Sequence, residues 1–218
     1  MEEAEDFSVL LCNRKSTWLR GSRKCTHVSS PLIYLCYNFR MNKIIFLDRD
    51  GTVIYDPEDE RVDREDKIKL FPDTIEALKY LADNDFAVIL ITNQAGIAEG
   101  RMNTQDFERI NNKVLEMVAP SGVKILKTFM CHHAPGDNCE CRKPKPTMLL
   151  EAAKEFDIDL ARCYMVGDRE SDIKAGINAG TKTILVKTAN INVESKEATY
   201  TAPNILDAVR YILNNPID

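Results

Sequence analysis

Residues 43–52 read KIIFLDRDGT: an apolar run from Ile44 to Leu47, then Asp48, Asp50 and Gly51 in quick succession. A short continuous apolar run bounded by turn-forming residues fits a strand buried on both faces. The residues that follow it matter as much, because ligands of an open parallel α/β sheet bind beyond the carboxyl ends of its strands. Asp48 and Asp50 lie two apart, so in an extended chain they point to the same side. Gly51 lets the chain turn sharply behind them, and backbone N–H groups in such a turn can hold an anion.

The same pattern recurs down the chain. DTIEALKYLADN (73–84) has helical spacing through Ile75, Leu78 and Leu81, and FAVILIT (86–92) is a second strand. Residues 104–118 place Phe107, Ile110, Val114 and Met117 on one helical face ahead of a strand at KTFMC (127–131). PTMLLEAAKEF reads as a helix, CYMVGD and TKTILV as strands, SDIKAGINAG as a helix ended by glycine, and NILDAVRYIL as the last helix. Alternation of this kind predicts a three-layer α/β domain, a Rossmann-like parallel sheet with helices on both faces.

That domain is expected over residues 41–218. Residues 1–40 differ in character: they start acidic (MEEAED), turn basic (NRKSTWLRGSRKC) and end in a short apolar fragment. The order suits neither a secretory signal nor a mitochondrial transit peptide. A disordered extension, or an upstream reading of the gene, is expected there.

Composition bounds the function. The 218 residues are 44% hydrophobic and 29% charged, with a formal net charge of -5, which disfavours nucleic acid as a partner. No apolar run approaches the roughly 20 residues of a membrane span. Seven cysteines form no regular disulfide framework, and a cytoplasmic, monomeric enzyme is expected.

The residues at the other strand ends extend the acidic rim. Thr92 and Asn93 follow VILI, Cys131 follows KTFM, and Asp168 follows YMVG with a further acid at Asp172. Carboxylates brought close together repel unless a hard cation sits among them, which points to Mg2+. A lone DxD is most often a solvated loop, and a lone threonine after a strand most often a cap. Here the aspartates end apolar strands. Thr92 can donate to a phosphoryl oxygen. Lys143 sits in CRKPKP, where Pro144 and Pro146 restrict the backbone on both sides and so place the lysine.

MCHHAPGDNCECRKPKP (130–146) holds five soft-metal ligands. In an extended segment Cys131 and His133 face one way and His132 the other, and Cys139 and Cys141 repeat the two-residue step. A structural zinc site of Cys131, His133, Cys139 and Cys141 is expected, free thiols on a loop being the alternative. The metal would stiffen an apolar-poor loop leading to Arg142 and Lys143.

DRDGT, ITNQAG, CRKPKP and VGDRESD, in this order, resemble the four motifs of the haloacid dehalogenase (HAD) phosphatase superfamily. The CHH…CEC cluster resembles the histidinol-phosphatase and D-glycero-D-manno-heptose 1,7-bisphosphate phosphatase branch. The resemblance implies a HAD-like fold and a Mg2+-dependent phosphomonoester hydrolase. It makes Asp48 the nucleophile that becomes an aspartyl phosphate, and Asp50 the residue that protonates the leaving oxygen and then activates water. Thr92 and Lys143 would hold the phosphoryl oxygens, and Asn93 and Arg142 would contact substrate. Asp48, Asp168 and the Asp50 backbone carbonyl would bind Mg2+, with Asp172 in support.

Only about 40 residues separate Asp50 from Thr92 and about 50 separate Thr92 from Lys143, too few for a cap domain beyond the predicted elements. A small soluble phosphate ester is therefore the expected substrate. The short step from His133 to Cys139 and the VDRED segment resemble histidinol-phosphatases, whereas NQAGIAEGRM and RKPKPTMLL resemble the heptose enzymes. The heptose bisphosphate is favoured, with histidinol phosphate as the alternative. A phosphate-accepting receiver or binding module is the non-enzyme alternative, disfavoured by the second carboxylate at Asp50. A polynucleotide end phosphatase would want a basic groove that the net charge does not suggest.

Overall fold

The computed structural model describes residues 43–56 and 62–217. The expectations for residues 1–40 lie outside them. Among the described residues six strands form one sheet: β1 (Ile44–Leu47), β2 (Ala87–Asn93), β3 (Lys124–Cys131), β4 (Tyr164–Gly167), β5 (Lys182–Val186) and β6 (Tyr200–Ala202). The helices are α1 (Thr74–Asp83), α2 (Ala95–Ala98), α3 (Thr104–Val118), α4 (Thr147–Phe156), α5 (Glu170–Ala179) and α6 (Ile205–Asn214).

All strand pairs are parallel, in the order β3-β2-β1-β4-β5-β6. The chain thus winds outward from β1 to β3, returns, and winds out on the other side. Parallel crossovers keep one hand, so reversing direction sends the helices to the opposite face. The side chains of β1 show both faces at once. Ile45 and Leu47 pack with Leu78, Phe107, Ile110 and Val209 of α1, α3 and α6. Ile44 and Phe46 pack with Met148, Leu149 and Ala175 of α4 and α5.

Local chemistry sets the helix ends. Asn103 and Asp106 form a reciprocal capping box at the start of α3, and Asn204 accepts from Asp207 N at the start of α6. Gly180, at φ 89°, ends α5 in the left-handed region.

One α-helix and one strand lie outside the sequence expectations: the four-residue α2, and β6, whose three residues are too few to show periodicity. β3 begins at Lys124 and is longer than KTFMC. Among the described residues there is no separate cap domain, and no helix is long and apolar enough to cross a membrane. Strand order reverses between β1 and β4, and the crevice at their carboxyl ends is where such a sheet binds ligands.

Candidate active site

Asp48 and Asp168 leave β1 and β4 side by side, held by the bond from Asp48 N to Val166 O at 2.9 Å. Asp172 joins them from the first turn of α5, where its carboxylate also accepts from Arg169 N at 3.0 Å. One carboxylate oxygen from each of Asp48, Asp168 and Asp172 lies within 4.8 Å of the others, and all three residues are buried. Asp172, expected only to support a metal shell, stands in the cluster itself.

Lys143 reaches into the same place. Its Nζ lies 2.5 Å from Asp48 Oδ1 and 2.6 Å from Asp172 Oδ1, and donates to Ile91 O at 2.8 Å. Its backbone is held from β2: Asn93 Oδ1 accepts from Lys143 N at 3.0 Å and Asn93 Nδ2 donates to Lys143 O at 3.3 Å. Asn93 also lines the pocket, and both ends of its amide hold the lysine backbone.

The electrostatics follow from three buried carboxylates sharing one ammonium. Burial pushes Asp48 well above the usual carboxylate range; Lys143 opposes this, while Asp172 and Asp168 push it further. Burial, then Asp172, raises Asp168 to about 7. Burial alone would lower Lys143, but Asp172 and Asp48 outweigh it and hold the amine above the ordinary lysine value. Asp168 Oδ2 accepts from Asn190 Nδ2, and its buried Oδ1 has no hydrogen-bond partner among the described residues. An orphaned carboxylate oxygen beside two further carboxylates is a donor set suited to a hard cation.

Gly51 closes the rim. Its φ is +87°, and a Cβ there would fall 2.5 Å from Asp168 Oδ2. Gly51 O accepts from Thr188 Oγ1, so the chain after β5 is fastened to the turn after β1.

Asp50 faces the same pocket as Asp48, Thr92, Arg142, Lys143 and Arg169. Its carboxylate is gripped by other groups. Arg49 Nε and NH2 donate to Oδ2 and Oδ1 at 3.0 Å each, Thr92 Oγ1 donates to Oδ2 at 3.0 Å, and Gln94 Nε2 donates to Oδ2 at 2.7 Å. Arg142 lines the pocket while its NH1 donates to His133 O at 3.2 Å. Arg169 NH2 pairs with Asp56 Oδ2 at 2.7 Å across the mouth.

Sequence reasoning missed Arg49, Gln94, Arg169 and Asn190. The first three lie inside quoted motifs, where adjacency to Asp50, Thr92 and Asp168 was a usable signal. Asn190 had none.

The cysteine loop lies between β3 and α4. Cys131, His133, Cys139 and Cys141 each offer one ligand atom within 4.8 Å of the others; His132 is not among them and its ring lies tilted against the His133 ring, 4.0 Å between centroids. Cys131 Sγ is 3.6 Å from Cys139 Sγ and 2.9 Å from Cys141 Sγ, and Cys141 is 3.7 Å from Cys139. His133 Nδ1 lies 3.2 Å from Cys141 Sγ and 3.7 Å from Cys131 Sγ. Metal–sulfur bonds of about 2.3 Å in a tetrahedron give edges of about 3.8 Å. Most of these separations approach that value, and all the sulfur pairs exceed the roughly 2.05 Å of a disulfide. The donor set therefore fits zinc.

Residues 140–210 match the HAD-hydrolase-like family model. Over 150 residues the chain is 40% identical to D-glycero-beta-D-manno-heptose-1,7-bisphosphate 7-phosphatase of Helicobacter pylori, covering 68% of this chain and 85% of that protein. It is 38% identical over 140 residues to the histidine biosynthesis bifunctional protein HisB of Legionella pneumophila, covering 64% of this chain and 40% of that one. A crystal structure of D,D-heptose 1,7-bisphosphate phosphatase from B. bronchiseptica, complexed with magnesium and phosphate, superposes with a TM-score of 0.74 at 34% identity, covering 79% of this chain and 98% of that one. A buried carboxylate cluster at the strand ends, four motifs in order and similarity over about two thirds or more of the chain lead to one assignment: the chain belongs to the HAD-like phosphatases, in the branch of the heptose 1,7-bisphosphate 7-phosphatases and the HisB phosphatase.

Proposed function

We propose that the chain hydrolyses the 7-phosphate of D-glycero-D-manno-heptose 1,7-bisphosphate through an aspartyl phosphate on Asp48. The observation that carries this reading is the convergence of Asp48, Asp168, Asp172 and Lys143 beyond β1 and β4. Asp48 Oδ attacks phosphorus as the ester bond breaks, and Asp50 gives its proton to the departing sugar oxygen. Water then attacks the phosphoryl group, Asp50 takes the water's proton, and the bond to Asp48 breaks. Two easier steps replace one hard one.

Phosphoryl transfer asks mainly for positioning and for neutralisation of oxygen charge. Lys143 supplies donors for the transferred oxygens, the Thr92 hydroxyl supplies another once it turns from Asp50 Oδ2, and Arg142 faces the rest of the substrate. Asp48 and Asp168 side chains with the Asp50 carbonyl would hold Mg2+, Asp172 standing beside them; when bound, the ion offsets the carboxylate repulsion and the charge developing on the phosphoryl oxygens. Cys131, His133, Cys139 and Cys141 would hold a structural Zn2+. Burial raises Cys131 to about 12, so a thiolate there needs a cation beside it. Gathered thiols of this kind suit a reducing cytoplasm, and a monomer is proposed.

The heptose relative aligns over 85% of its length, which favours the sugar bisphosphate. Histidinol phosphate is the second reading, favoured by the six-position step from His133 to Cys139. Turnover of both compounds by purified protein with Mg2+ tests the choice. A higher kcat/KM for the heptose bisphosphate is expected, and the reverse order would overturn it.

A further inference from the structure

Arg49 stands between the two aspartates of DRDGT, and it is fully buried. A guanidinium stays charged in any protein, so its burial needs a reason. Its fork meets Asp50 bidentately, Nε to Oδ2 and NH2 to Oδ1, while its carbon lies 5.1 Å from the centre of the Phe107 ring on α3. NH1 is buried and has no hydrogen-bond partner among the described residues. An unsatisfied donor in the core is unfavourable for stability, so folding alone does not explain the residue.

The donors on Asp50 are unevenly shared. Among the described residues, Oδ2 accepts from Arg49, Thr92 and Gln94, whereas Oδ1 accepts from Arg49 alone. Each carboxylate oxygen has about two lone-pair sites. Oδ2 is saturated and Oδ1 keeps one site open. Gln94 is itself braced, its Nε2 also lying 2.8 Å from Thr92 Oγ1.

We infer that Arg49 is a positioning residue for the reaction, fixing the Asp50 carboxylate so that Oδ1 alone exchanges the proton in both steps. The inference rests on the acid–base reading of Asp50 proposed above. In the first step the Oδ1–H bond breaks and the proton goes to the sugar oxygen; in the second, water returns a proton to Oδ1. A carboxylate free to rotate would present the wrong oxygen for part of the time. The bidentate fork forbids that rotation, and the Phe107 ring holds the fork in plane.

An aryl ester separates this role from a structural one. p-Nitrophenoxide leaves without a proton, so its first step does not need Asp50; the second step does. Arg49→Met is compared with wild type and Asp50→Asn, reading the p-nitrophenol burst, steady-state turnover and acid-trapped phosphoenzyme. For Arg49→Met the burst rate should stay within about threefold while turnover falls about 10- to 100-fold and phosphoenzyme accumulates. With the heptose bisphosphate the first step slows too, and phosphoenzyme should not accumulate. Equal losses in both phases, or unchanged turnover, would overturn the inference. Unchanged turnover in Asp50→Asn would instead overturn the reading of Asp50 itself. Arg49→Lys keeps the charge without the fork and should show the same split at smaller amplitude. If Arg49→Met does not fold, Arg49→Lys decides: wild-type behaviour there rejects the inference.

Discussion

Replacing Gly51 with alanine tests the geometry of the site most directly, because two separate penalties can be worked out. The first is backbone strain. At φ +87° an L-residue other than glycine costs about 1–2 kcal/mol. The second is steric: the new Cβ would lie 2.5 Å from Asp168 Oδ2, 2.7 Å from Cγ and 2.9 Å from Oδ1. Ordinary contacts are about 3.5 Å or more, so Asp168 must retreat by about 1 Å. Overpacking of that kind adds about 1–3 kcal/mol. Together they amount to about 2–5 kcal/mol, which at about 2–4 °C per kcal/mol lowers Tm by about 4–20 °C.

Gly180→Ala is the control. Its φ is +89° and nothing lies within 4 Å of the added Cβ, so only the backbone penalty applies. It should lower Tm by about 2–8 °C and leave chemistry alone. Gly51→Ala should also lose about 100-fold in kcat/KM and need about tenfold more Mg2+ for half-maximal activity. Thermal melts and Mg2+ titrations of both variants are the assay. If Gly51→Ala matched Gly180→Ala in activity and Mg2+ dependence, Asp168 would have no part in a metal site.

Cys139→Ser should reduce bound zinc, measured by elemental analysis, together with Tm and activity; full activity in a zinc-free protein would end the account of the loop. Cys163, buried and pushed up to about 12 mainly by that burial, should resist iodoacetamide in the native enzyme and react once unfolded, as peptide mapping would reveal. The Asn103 backbone N–H is the main influence that holds the partly exposed Asp106 carboxyl below its ordinary value. A depressed folded pKa means that this stabilisation is present above the unfolded pKa and is lost as pH falls through the folded one. The Tm gap between wild type and Asp106→Ala should therefore shrink from pH 7 to strongly acidic pH. Lys143→Met removes the ammonium from between Asp48 and Asp172. It should abolish turnover, and a variant retaining a tenth of wild-type kcat would remove Lys143 from the site.

Much of this architecture was readable because it depends on local pattern. IIFL, AVILI and YMVG are apolar throughout, since both faces of a parallel sheet are covered, and the polar residues that stop them lie on the binding rim. What escaped depends on chain separation. Asn93 meets Lys143 across 50 positions and Asn190 meets Asp168 across 22, and no periodicity encodes either contact. Arg49 escaped for another reason. Alternation correctly points its side chain away from Asp48 and Asp50, but the guanidinium folds back on Asp50 over a ring 58 positions later. β6 escaped because YTA has too few residues for any pattern to emerge.

The placing of β1 between β2 and β4 bears on how the polypeptide matures. Ile44 pairs with Ala87, but Ile45 waits for Tyr164, more than a hundred residues further along. While translation runs between them, one margin of an entirely apolar strand stays open to other nascent chains, the kind of template that aggregates. A premature stop ahead of Tyr164 should therefore leave an insoluble fragment instead of a feeble hydrolase, and the ribosome must pass Asp172 before the nucleophile has its surroundings.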